Sequence, residues 1–509
     1  MSARRTFLKA AAATTGVAVF STFLPGLQVL AHHQPPIRRS LGALGSDHTI
    51  IETFREFVAF MKSRPATDAF SWQQFAFIHG TSAGFNKCPH GSWYFLPWHR
   101  AYIQMYERAC RVVTGNQDFA MPYWDWTEQR RIPEAFRQNA APNNALYEAS
   151  RTMSESAELP DWMVGTEVMH SIYSESNFEA FGSSRPAGQN NLDPSWITGG
   201  GGVQGTLEAT PHNNVHVTVG GVMRSYTSPL DPIFQMHHCN IDRIWDNWVA
   251  MCNHNSTDTL WLDMPFTDNF TGPTGNSYSS IVRNLLNTRT LGYQYETQRK
   301  TCLRFPHHVI RRTDIIDKLF LFREKKAPEL PEPPVCQTGL SCPPDFIRIK
   351  NTRRASTRRP ISMKVALEER FKKAERPALK LGGKDISAAM EPENYNEVLA
   401  ILRNITTPAD PRTALRVFLN HPNPSRKTPV SDPHYVTTIA FFGKHAGGGH
   451  SKEPGSYLLN LTDTLAELKR ADKLRSNDLS LQLVLIPPEG VSERDAGYVQ
   501  PEGIDIAII

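Results

Sequence analysis

The chain has 509 residues, 40% hydrophobic and 10% aromatic, enough for a large core and for more than one domain. Its 55 Lys and Arg against 50 Asp and Glu give a net charge of +5, which carries no nucleic-acid signature. "ARRTFLK" precedes the apolar run "AAAATTGVAVFSTFLPGLQVLA", with small residues before Ala31. This pattern predicts a twin-arginine export signal over 1–31, and hence a periplasmic or secreted protein that meets a membrane only through export machinery. A membrane anchor is the rival reading, but Pro25 breaks the run and leaves it short for a span. Removing Arg4, Arg5 and Lys9 with the signal lowers the net charge from +5 to +2.

Helical apolar spacing follows in "TIIETFREFVAFMK" and "HRAYIQMYERACRVV". Long Gly-, Asn- and Pro-rich stretches separate the helices. Between the two helical runs, "FAFIHG" supplies His79, and "CPHGSWYFLPWHRAY" supplies Cys88, His90 and His99. Further on, "PHNNVH" places His212 and His216 at i and i+4, a spacing that projects both imidazoles from one helix face. A zinc hydrolase of the H-E-x-x-H kind needs Glu after the first His, where this chain has Asn213.

"DPIFQMHHCNIDRIWDNW" then sets His237 beside His238. Asp231 suits an N-cap and Pro232 a first helical position. The helix they open puts Phe234, His238, Ile241 and Trp245 on one stripe, so His238 is expected on the buried face and His237 rotated away. Two three-histidine sets with no carboxylate ligand argue against a carboxylate-bridged di-iron centre and fit a pair of coppers.

These blocks resemble the tyrosinase/polyphenol oxidase family of type-3 copper proteins over about 36–325, through "H-GSWY-FLPWHR", "HNNVH" and "DPIFQMHHCNID". The resemblance implies two coppers, one on His79, His90 and His99 and the other on His212, His216 and His238, with His237 outside the ligand set. It implies O2 and small phenols or catechols as substrates. Monophenols would be o-hydroxylated and o-diphenols oxidised to o-quinones. Catechol oxidase alone, o-aminophenol oxidase, or an O2-binding haemocyanin-like protein stay open as alternatives. Glu208, four before His212, resembles the family's water-holding glutamate, and Asn213 the asparagine that polarises that water; together they would deprotonate a phenol. Cys88 and His90 form a C-x-H pair that in relatives becomes a thioether. "MPYWDW" resembles the family's aromatic core segment. "YQY" (Tyr293, Tyr295) resembles its closing tyrosine motif, with Arg38 or Arg39 as cationic partner. Asp242 would orient a ligand ring or form a surface salt bridge. No Phe occupies the loop "GGVMRSYTSPLD", where Ser225 or Tyr226 lies nearest the second copper, so a more open entrance is expected.

The expected fold of 32–325 is a mainly α catalytic domain, a four-helix bundle around the dinuclear copper site with long loops. Residues 326–360 read as a Pro-rich and basic linker, ending in the run "KNTRRASTRRP". From 361 to 509, "ALRVFLN", "HYVTTIAFFG", "SYLLNL" and "LSLQLVLIPP" read as short strands of a small β-sandwich-like domain. It resembles the shielding domain of latent proenzymes, which plugs the copper pocket with one side chain. Phe441 and Phe442 are the candidates, and strand alternation sends one in and one out. An activating protease is then an expected partner. Seven cysteines remain after the signal, an odd number. Cys336 and Cys342 are a candidate disulfide.

Overall fold

A computed structural model describes residues 34–44, 48–199, 201–296, 345–365, 398–410, 412–443, 454–474, 479–488 and 490–508. The signal, Cys336 and Cys342 lie outside the described residues. Among these residues no helix is long and apolar enough to cross a membrane.

The first core is helical. Helices α1 (His48–Lys62), α2 (Trp72–His79), α3 (Phe95–Thr114), α4 (Asn213–Val219) and α5 (Ile233–Ala250) surround a cluster dense in Trp, Tyr and Phe. The last four of these carry or adjoin the predicted histidines. In α3 and α5 nearly every side chain is buried. A helix enclosed on all sides has no solvent face. The expectation that His237 turns away from a buried face is therefore corrected: His237 and His238 are both fully buried.

The second core is a β-sandwich. One sheet has strands β2 (Ile361–Val365), β7 (Leu479–Ile486), β4 (Ala414–Leu419) and β5 (Tyr435–Ile439) in that order. The other runs from the segment Val203–Gln204 through β6 (Gly455–Asn460), β3 (Val398–Ile405) and β8 (Gly503–Ile508) to β1 (Asp345–Lys350). Period-two alternation sorts β3 between two environments. Val398, Ala400 and Leu402 enter the inter-sheet core, while Leu399 and Ile401 pack with Ala180 and Val203 of the helical part. A strand covered on both faces reads as one apolar run, as "VLAILRNI" does.

Two boundaries differ from the reading of 326–360 as a linker. Residues 345–350 are an integral strand, paired in full register with β8. Within the basic run, Ser356 and Ala355 pair with Tyr498 and Val499, and the Arg354 guanidinium lies 4.3 Å from the Tyr498 ring centroid. The helical and β parts also share a sheet, because Val203 and Gln204 pair in parallel with Ser456 and Tyr457. The described residues within 36–509 accordingly fall in one compact unit.

Candidate dinuclear metal centre

His79 ends α2, which Ser71 caps by accepting from the Gln74 amide at 3.2 Å. Its Nδ1 lies 2.6 Å from the Tyr226 carbonyl. His99 sits in the first turn of α3 with Nδ1 2.8 Å from the Phe95 carbonyl. His90 comes from the loop before α3, its ring stacked on Phe85 with centroids 4.2 Å apart. Cys88 Sγ lies 3.5 Å from His90 Nδ1 and 3.2 Å from His99 Nε2. One potential ligand atom from each of His79, Cys88, His90 and His99 falls within 4.8 Å of the others.

The second cluster is His212, His216, His237 and His238, again within 4.8 Å. His212 ends a single widened helical turn, Glu208–His212, that contains Pro211 and leads into α4. Such wide turns re-aim side chains at functional sites. His212 Nδ1 lies 2.9 Å from Asn213 Oδ1, and His216 Nδ1 lies 2.7 Å from the Met223 carbonyl. His216 Nε2 and His238 Nε2 are 3.1 Å apart. The clusters face one another: the His99 and His238 rings stack at 4.2 Å and 12°.

These contacts set the tautomers. A carbonyl or amide oxygen only accepts, so His79, His99, His212 and His216 each place their proton on Nδ1 and turn the Nε2 lone pair inward. His237 is the opposite case. Trp126 Nε1–H, which only donates, makes a hydrogen bond to His237 Nδ1 at 3.2 Å. The neutral ring then carries its own proton on Nε2 and has no free lone pair. Burial pushes His79 and His237 down to about 3, against the hydrogen bonds that partly restore them. Burial, then mutual repulsion among the rings, lowers His99, His212, His216 and His238 well below the usual imidazole range. The rings are neutral at pH 7, as metal ligation requires. His79 Nε2 and His212 Nε2 are buried with no hydrogen-bond partner. Buried nitrogen lone pairs in two sets, with no carboxylate among them, fit copper and not a hard cation.

The surrounding residues take more definite places than their spacing implied. The Glu208 carboxylate is fully buried and accepts from the Gly91 amide at 2.8 and 3.0 Å and from the Ser183 hydroxyl. Asn213 donates from Nδ2 to Gln204 Oε1 at 2.7 Å while its Oδ1 holds His212. Asp242 is neither on the surface nor against a ligand ring. It accepts from Arg100, from Arg38 at 3.1 Å, and from the hydroxyls of Tyr293 at 2.7 Å and Tyr295 at 2.6 Å. Arg38 is thus the cationic partner of "YQY", its guanidinium 3.4 Å from the Tyr293 ring centroid. Burial would raise Asp242, but Arg100, Arg38 and the Tyr295 hydroxyl outweigh it and hold the carboxyl below the usual range. Cys252 is disulfide-bonded, while Cys88, Cys110 and Cys239 are free thiols.

Phe441 and Phe442 part company. Phe441 packs in the sandwich core with Tyr457. This corrects its candidacy as a plug. Phe442 lies among the histidines of both clusters, with ring centroids 4.1 Å from His216, 5.2 Å from His90 and 5.5 Å from His212. The turn after β5 holds it there: the Gly443 amide donates to the Arg224 carbonyl at 3.3 Å. Gly443 has φ +66°, and an added Cβ would lie 2.6 Å from Phe85 Cζ, so only glycine fits. Sequence spacing gave no site role to Trp126, although it lies in "MPYWDW", and missed Gln204, Ser183 and Phe85, which reach the site from segments that carry no recognisable motif.

Residues 69–156 and 136–251 match the family model described as the common central domain of tyrosinase. Tyrosinase HcTyr1 of Hahella sp. (strain CCB-MM4) is 31% identical over 279 residues, covering 46% of this chain and 58% of its own. Chloroplastic polyphenol oxidase E of Solanum lycopersicum is 29% identical over 238 residues, covering 40% and 38% respectively. The chain thus spans less than two thirds of the length of these curated relatives. The structure of latent apple tyrosinase superposes with a TM-score of 0.61 over 94% of this chain and 98% of that one, at 21% identity, a likeness of fold. The segment that carries both histidine clusters, residues 69–251, thus matches the central domain of tyrosinase.

Proposed function

We propose that this is an exported copper enzyme that o-hydroxylates monophenols and oxidises o-diphenols to o-quinones with O2. Its C-terminal β part keeps it latent until a protease cuts the chain and that part comes away. The two facing clusters of neutral, inward-turned imidazoles carry the reading. His79, His90 and His99 would hold one copper and His212, His216 and His238 the other. Bound there, the pair supplies O2 binding and two-electron exchange with a phenol. The chain's own residues do the rest. Asn213 fixes the His212 tautomer through Nδ1–H. Glu208, anchored by the amide next to His90, receives the proton of an incoming monophenol by way of a water. Phe442 occupies the space a phenol ring would need, while O2 is small enough to pass. The Cys88 thiol, within 3.5 Å of the His90 ring, is placed to form a thioether with O2 as oxidant. That bond replaces an S–H and a ring C–H, so the intact mass falls by two hydrogen atoms.

The test uses full-length protein carrying Phe442→Ala and loaded with copper. It should oxidise catechol and hydroxylate monophenol. Adding Glu208→Gln or Asn213→Gly should depress monophenol hydroxylation about tenfold more than catechol oxidation, because only the first needs a proton removed. Equal losses on both substrates would leave these residues a structural role. A protein with two coppers and no phenol oxidation sinks the reading.

A further inference from the structure

We propose that Phe85 is a specificity-determining wall of the phenol pocket and restricts it to single-ring phenols. The inference rests on the copper-oxidase reading above. The expectation of an open entrance came from the loop at Ser225 and Tyr226, yet an aromatic ring reaches the same mouth from a different segment. Phe85 ends the tight hairpin formed by Gly80–Thr81 and Gly84–Phe85. It stacks on His90 at 4.2 Å and 26°, and meets the Tyr226 ring edge-on at 4.5 Å and 84°. The hairpin cannot shift outward from Tyr226 without loss of contact: a Cβ on Gly80 would lie 2.8 Å from both Tyr226 Cβ and the Tyr226 carbonyl. That carbonyl also holds His79. Phe85 is therefore clamped between a copper ligand and the backbone that orients a second one.

Phe442 shows what the enclosed space accepts. One benzyl-sized ring fits, its centroid 4.1 Å from that of His216 and 6.0 Å from that of Phe85. A guest in that place has the half-buried Phe85 ring as a neighbour, so a second ring extended toward that side meets the Phe85 side chain. Removing that ring opens the wall and leaves all six proposed ligands in the chain, at the cost of the stack on His90.

The experiment measures, by calorimetry on copper-loaded full-length protein in the Phe442→Ala background, the affinities for benzoate and 4-phenylbenzoate, aromatic carboxylates that cannot be oxidised like a phenol. Phe85→Ala should raise the affinity for the two-ring acid relative to benzoate about tenfold or more, and the catechol over two-ring catechol preference in kcat/KM should fall in step. Phe85→Leu, which keeps bulk, should shift both ratios less. Copper content, measured alongside, should stay at two per chain. Ratios unmoved by Phe85→Ala, in a protein that binds benzoate and turns over catechol, overturn the proposal alone. A Phe442→Ala protein that holds copper yet neither binds benzoate nor oxidises catechol overturns this proposal and the functional reading together.

Discussion

At the scale of single residues, hydrogen-bond direction separates neighbours that spacing alone cannot. His237 and His238 are adjacent, equally buried and in one cluster. The indole of Trp126 donates to His237 Nδ1, which places that ring's own proton on Nε2 and argues against its ligating a metal. His238→Ala should therefore lose one copper per chain by metal analysis, whereas His237→Ala should keep both; the reverse pattern would exchange their roles. Asp242 makes a second prediction. It is fully enclosed by two guanidiniums and two tyrosine hydroxyls, and its carboxyl is held below the usual range, chiefly by Arg100 and Arg38 against burial. A carboxyl depressed on folding contributes stability that is complete above its unfolded value of about 3.9 and is lost as pH falls through the folded value. Asp242→Asn should cost about 3–5 kcal/mol at neutral pH, because it takes the counter-charge from buried Arg100 and leaves buried Arg38 with Glu107 alone. It should also flatten the acid limb of a denaturation-against-pH profile. An unchanged limb would show that another group controls it.

At the scale of elements, legibility followed the strength of local periodicity. The long helices around the histidines show clear 3.6-residue spacing, and the i,i+4 pair His212 and His216 is brought to one site, as that spacing implied. The strand Asp345–Lys350 was hidden by its neighbours. "DFIRIK" lies between a Pro-rich stretch and a basic run, and only its distant partner Gly503–Ile508 makes it a strand. The two-residue segment Val203–Gln204 has no local signal at all, yet it joins the helical part to the β-sheet. Alternation sends one of the candidate plugs Phe441 and Phe442 in and the other out without saying which, because both residues follow the end of β5, where tertiary contacts set direction. Their roles predict different phenotypes. Phe441→Ala should lose about 3–5 kcal/mol of stability in the sandwich core by denaturant titration. Phe442→Ala should lose less and open the site instead.

At the scale of the whole molecule, the proposed plug, Phe442, is one contact within a broad seam. Burying one aromatic ring contributes about 1.5–3 kcal/mol. The seam adds the shared strand at Val203–Gln204, the bond from Asn214 Nδ2 to the Thr438 carbonyl at 3.1 Å, and the apolar cluster of Leu399, Ile401, Ala180 and Val203. Cutting the chain alone should therefore leave the β part bound: after limited trypsin digestion, the two pieces should co-elute on gel filtration until mild denaturant separates them. Immediate separation in buffer would mean that the seam is weaker than its contacts indicate. The central claim joins a dinuclear copper site to a single ring that covers it. Its most direct test is catechol-dependent O2 uptake by the uncut, copper-loaded chain, compared with the uncut Phe442→Ala variant at equal copper content. The rate should rise about tenfold or more in the variant, since the plug acts by excluding substrate; equal rates in the two proteins would contradict the account.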